Sequence, residues 1–230
     1  MHVDWAQAPM YNTIMGVAAG AGLLLLASLI GDLQKGKSPN ARGYAIAFAT
    51  LGVILGATGL DMTLKWPLAP IGTPFANIIF GEPSLAFGVF LLAAAFYFWR
   101  NEERLSALKG EKLQEDIARA FGPMSVFVLG MGLALFAIAV AGEYFVLFAA
   151  PPQEPLSGYF ADQPRIEATF ISLLFALAGL GAVLFPSYLR HFSAGTTSVM
   201  RFSWWVSGLF FFLFSALNYF THIGLVLHTM

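Results

Sequence analysis

Apolar positions along this chain neither alternate nor recur on a single face; they run on. They fill six stretches, near 11–31, 43–60, 84–99, 123–147, 167–186 and 203–227, and the charged residues fall almost entirely between them. Most of these runs approach the ~20 residues that carry a helix across ~30 Å of hydrocarbon, the third being the shortest. In lipid the backbone amides of such a run have no water to bond, and a helix satisfies them within one segment. The pattern therefore predicts an all-α polytopic membrane helix bundle of six spans, a single transmembrane domain over 1–230. Gly16 with Gly20 and Gly52 with Gly56 recur one turn apart, a spacing that lets two helices approach closely.

The connectors differ from one another. Residues 100–121 mix both charge signs, with Glu115 four residues before Arg119 and Leu105, Leu108, Leu113, Ile117 and Phe121 at nearly helical spacing. This predicts an amphipathic helix lying against the membrane, interrupted near Gly110. The stretch 150–166 holds Pro151, Pro152, Pro155 and Pro164 and is expected to be irregular and surface-exposed. Composition agrees with a membrane solvent: 58% of the 230 residues are hydrophobic and 11% charged, against about 25% charged in soluble domains.

Charge then sets a direction. Lys35, Lys37, Arg42, Arg100, Arg104, Lys109, Lys112, Arg119, Arg190 and Arg201 fall in the first, third and fifth connectors or at their edges, leaving only Lys65 and Arg165 on the other side. The positive-inside rule makes the basic side cytoplasmic and both termini extracytoplasmic, the bilayer being the cell membrane. The segment before the first run carries Asp4 and no Lys or Arg, so it does not read as the basic start of a cleaved signal. A net charge of −1 argues against nucleic acid as a partner. The chain has no cysteine, which excludes disulfides and thiolate chemistry.

The segment Gly59–Gly88 reads GLDMTLKWPLAPIGTPFANIIFGEPSLAFG. It is apolar yet broken by Pro67, Pro70 and Pro74, so it either dips back to membrane depth under protein cover or lies flat with Trp66 among headgroups. Gly59, Met62, Trp66, Pro67 and Leu68, followed by Asn77, Ile78, Phe80, Gly81, Glu82, Pro83, Phe87, Gly88, Leu91 and Leu92, resemble the pattern of an uncharacterised family of small multispanning proteins. That family is known mainly from archaea and actinobacteria and carries only a domain-of-unknown-function label; the resemblance implies a membrane location and no activity. A fainter similarity is to bacterial urea/amide channels and acetate permeases, six-span proteins with both ends outside. The Asn-Pro-Ala-Pro motif of the acetate permeases is missing. Aligning 90–98 with 212–220 matches five of nine positions, Phe90, Leu91, Ala94, Tyr97 and Phe98 falling on Phe212, Leu213, Ala216, Tyr219 and Phe220. Three spans separate the two segments, so a repeat would be an inverted 3+3, with a site between the halves.

Ionisable groups within apolar runs carry the functional expectation, since placing a charge in hydrocarbon costs at least ~2.5–3.5 kcal/mol. Glu143 and His222 each lie about 20 residues into a span, on the terminal side of the bilayer, with Asn218 one turn deeper than His222. Asp61 and Lys65 are four apart at the end of the second span and suit a local ion pair. Asn77 and Glu82 precede the third, where Glu82 favours the helix dipole. Three classes follow. Glu143, His222, Asn218, Asp61, Lys65, Trp66, Asn77 and Glu82 can line the outward vestibule of a small-solute channel or transporter, with Trp66 and its loop over the mouth. Asp61, Glu82, Glu143 and His222 can form a carboxylate and histidine metal site of a membrane metalloenzyme, although no HExxH or nucleophile motif occurs and no cofactor is expected. The broad apolar faces can pack in a homo-oligomer or as an accessory subunit of a larger membrane complex.

Overall fold

Each apolar run becomes one helix, four of them extending past the run at both ends and the one at 123–147 falling short of it. The computed structural model describes residue 5 and residues 10–65 and 74–230. The spans are α1 (Asn12–Gln34), α2 (Ala41–Leu64), α3 (Glu82–Arg100), α6 (Ser125–Phe145), α7 (Pro164–His191) and α8 (Ala194–Thr229). Two short helices, α4 (Glu102–Ala107) and α5 (Gly110–Phe121), lie between α3 and α6. The Asn40 and Ser193 side chains accept from the backbone amides of Gly43 and Thr196 and so cap α2 and α8.

The third span begins earlier than its hydropathy suggests. A wide π turn, Asn77–Gly81, runs directly into α3, closed by the Glu82 amide bonding to the Asn77 carbonyl. Pro83 offers no amide and its ring crowds the preceding turn, which favours such a local widening. Asn77 and Glu82 thus belong to the span itself. Trp66 lies outside the described residues.

The spans pack as antiparallel pairs, α1 with α8, α2 with α3 and α6 with α7, and α7 also joins α8. At the α1–α8 crossing the backbones nearly touch, since a side chain at Gly20 would meet the Phe212 amide nitrogen and the Gly208 carbonyl oxygen at 2.4 and 2.6 Å. The order around the bundle is α3, α2, α1, α8, α7, α6, and α3 meets α6 only at a few points. An inverted 3+3 repeat would make that meeting the counterpart of the intimate α1–α8 pair, so the packing offers the repeat no equivalent.

The connector 101–124 is helical and broken at Gly110, which sits at φ +56°. Its apolar face turns to the bundle. Leu105, Leu113, Ile117 and Phe121 are buried against the bundle, Ser38 donates to the Leu108 carbonyl and Gln114 to that of Leu33. Asp116 accepts from Tyr97 at 2.5 Å and pairs with Arg104 at 3.2 Å. Turning these apolar residues inward buries more of their surface than contact with headgroups can, and α5 closes the end of the bundle opposite the termini.

Candidate functional site

One stripe of α8 and one of α7 face each other across empty space. On α8 the stripe is Phe211, Ser215, Asn218, His222 and Leu225; on α7 it is Glu167, Ile171, Phe175, Ala178 and Ala182. Their three- and four-residue spacing is that of a single helix face. With α1, α3, α6 and the segment after α6, they enclose a cavity of about 370 Å³. Its walls are mostly apolar and aromatic, and the lining on α8 reaches from Leu225 to Trp204, roughly 30 Å of helix at ~1.5 Å per residue. The polar groups gather toward the end that carries the termini, where Asn12, Ser84, Glu154, Glu167, Asn218 and His222 all contribute.

Glu154 is the unforeseen member. It stands in the proline-rich stretch expected to lie at the surface, yet it is only 8% exposed. The stretch begins where Val146 ends α6 in a left-handed conformation, φ 54°. Phe148 then lies across Gly142, where any side chain would strike its ring at 2.3 Å. Further on, Leu156 at φ 69° and ψ −68° forms a tight γ-turn in which Ser157 donates to the Pro155 carbonyl at 2.9 Å. Pro155 rests on Gly224 of α8, and His228 Nδ1 donates to the Gln153 carbonyl at 2.8 Å. These contacts flank Glu154 on both sides and turn it over the cavity.

There its carboxylate lies 3.7 Å from His222 Nε2, close enough for an ion pair and too far for a direct hydrogen bond. Burial pushes the Glu154 carboxyl above the ordinary carboxylate range, offset in part by the Thr221 hydroxyl. Glu167, in the first turn of α7, accepts from the Ala150 amide at 2.8 Å and is near enough to Glu154 for the two charges to repel. Asn218 is 9% exposed, and neither its carboxamide oxygen nor His222 Nδ1 has a protein hydrogen-bond partner. Buried polar atoms left so usually await water or a ligand.

Below the carboxylates sits an aromatic cluster. Phe148 and Phe175 stack with centroids 5.6 Å apart, and Phe80 lies 6.3 and 6.4 Å from them.

Of the residues singled out by sequence, His222 and Asn218 line this cavity. Glu143 turns away from it, bonding Arg165 at 3.3 Å and Thr169 at 2.8 Å on an exposed face. Asp61 forms its ion pair with Lys65 at 2.6 Å and accepts from Tyr11 at 3.0 Å. Asn77 donates to the carbonyls of Met62 and Lys65 and fastens the end of α2 to the π turn. Glu82 is exposed. Asp61, Glu82, Glu143 and His222 therefore do not converge, and the described residues contain no group of three or more His, Asp or Glu placed to hold a metal. Glu167 was within reach of sequence reading as a carboxylate opening an apolar helix face; Glu154 gave no signal.

Helices of this length and apolarity around a shared cavity define a multi-pass integral membrane protein. The chain belongs to the family described as "Protein of unknown function (DUF981)", whose model matches residues 10–224. No curated protein and no solved structure matches it.

Proposed function

We propose that the protein is a carrier of the cell membrane, both termini outside the cytoplasm, which loads a small solute into this cavity from the terminal side. The observation that carries the reading is the cavity's asymmetry. It is polar where Glu154, Glu167, Asn218 and His222 gather, and α5 packs across the opposite end of the bundle. A mostly apolar chamber in a bundle capped at one end suits binding and release better than free flow, so a carrier fits better than an open channel. The basic residues gathered at the α5 end support its cytoplasmic placement. No comparable feature favours an accessory subunit, because the exposed apolar side chains suit lipid equally well.

Flux into proteoliposomes tests the proposal. Wild type is expected to give saturable uptake of a small amphipathic solute, and Met131→Trp, which fills the cavity from α6, is expected to abolish it without unfolding the protein. Unsaturable flux that survives Met131→Trp overturns the carrier reading.

A further inference from the structure

A site that recognises its ligand must answer the ligand's charge as well as its shape, and the charge here is one-sided. Among the described residues the cavity is lined by two carboxylates, Glu154 and Glu167, and one histidine, and by no Lys or Arg. The two Lys and Arg side chains toward the terminal side are engaged elsewhere, Lys65 with Asp61 and Arg165 with Glu143. Even with His222 protonated, two ionised carboxylates leave a buried negative charge uncompensated, a costly state in a low-dielectric site. Protons or a cation can remove that cost.

The walls choose between them when a ligand is present. Beneath the carboxylates, Phe80, Phe148 and Phe175 form the aromatic cluster, and aromatic faces attract organic cations more strongly as water is excluded. Asn218 adds a carboxamide oxygen with no protein donor, an acceptor suited to an N–H. The sparse contact between α3 and α6 leaves the chamber flanked by the bilayer, where apolar molecules concentrate.

Resting on the carrier reading, we propose that the solute is a compact lipophilic organic cation, an ammonium or protonated amine on an apolar body. Its charge sits between Glu154 and Glu167 and its body against Phe80, Phe148 and Phe175. In the empty site a proton held on Glu154 removes one of the two carboxylate charges, and the arriving cation displaces that proton. The groups facing Glu154 are Glu167 from α7 and His222 from α8, while α1 and α3 present the uncharged Asn12 and Ser84. Cation binding therefore tightens as pH rises and releases a proton.

Calorimetric titration of the purified protein tests this with three probes of similar size: benzyltrimethylammonium, phenylacetate and benzyl alcohol. The ammonium is expected to bind at least about tenfold more tightly than the other two. Glu154→Gln and Glu167→Gln are each expected to weaken it about tenfold, and Glu143→Gln to leave it unchanged. Phe148→Leu, a variant that leaves both carboxylates in place, is expected to weaken the ammonium more than benzyl alcohol. Preference for phenylacetate, failure of the ammonium to bind, or unchanged ammonium affinity in both Gln variants overturns the inference. The carrier reading is judged apart from it, by saturable flux and its loss in Met131→Trp.

Discussion

Glu154 Oε1 and His222 Nε2 lie 3.7 Å apart, one carried by an irregular segment and the other by the last third of α8, 68 residues further along the chain. Neither neighbour in sequence announces the other. Their meeting depends on the segment after α6 folding back over the end of α8, and it gives the protein a buried titratable pair at the polar end of its cavity.

Glu154 should make stability depend on pH with a definite sign. Burial raises its folded-state value above the ordinary 4.5, so the folded state binds more protons than the unfolded chain between those two values. The contribution is fully favourable below 4.5 and is lost as pH rises through the raised value. The melting temperature in detergent is expected to fall across that window, and Glu154→Gln to flatten the fall. An equal slope in the variant would assign it to other groups.

The α1–α8 crossing should tolerate no side chain. At Gly20 a Cβ would meet backbone atoms of Gly208 and Phe212 within 2.6 Å, atoms that cannot swing aside. Gly20→Ala is expected to destabilise by about 1–3 kcal/mol, the usual range for overpacking. Gly130→Ala, where nothing lies within 4 Å, is the matched control and should be neutral or slightly stabilising. Thermal or denaturant unfolding of both variants separates the packing effect from the general effect of losing a glycine.

Asn77 should matter for structure rather than for the solute. Its amide donates to the Met62 and Lys65 carbonyls, and removing a buried donor leaves acceptors unmatched at about 1–3 kcal/mol. Asn77→Ala is expected to lower stability by that order and to speed proteolysis between α2 and α3. Cavity binding measured well below the melting temperature should persist.

Glu143 and Asn218 should divide cleanly. The Glu143 carboxylate is 44% exposed in its pair with Arg165, and exposed pairs contribute only about 0–1 kcal/mol. Glu143→Gln is therefore expected to preserve solute flux and nearly all stability. Asn218→Ala is expected to raise KM for the carried solute while leaving the fold intact, as read from flux kinetics and the melting temperature. The reverse result would move the site to the α6–α7 face where Glu143 points.

The aromatic and acidic parts of the cavity show how unevenly the site was written in the sequence. His222 and Asn218 were legible because a polar residue inside an apolar run stands out against its surroundings. Glu167 carried the same mark in weaker form, at the very start of its helix. Glu143 carried that mark most clearly of all, yet its helix is rotated so that it meets Arg165 and Thr169 instead of the cavity. Hydropathy measures how apolar a segment is and leaves open which way each face turns.

By itself the sequence determined six helices, their approximate limits and the break at Gly110, because hydrocarbon demands local backbone pairing and glycine alone enters φ +56° without strain. Tertiary structure alone decided that α5 turns its apolar face to the bundle, that Gly20 and Gly208 join α1 to α8, and that Glu154 leaves the surface to face His222. These outcomes depend on contacts between segments far apart in the chain, such as Pro155 seated on Gly224. Such contacts depend on shape complementarity between surfaces, which no local pattern of residues encodes.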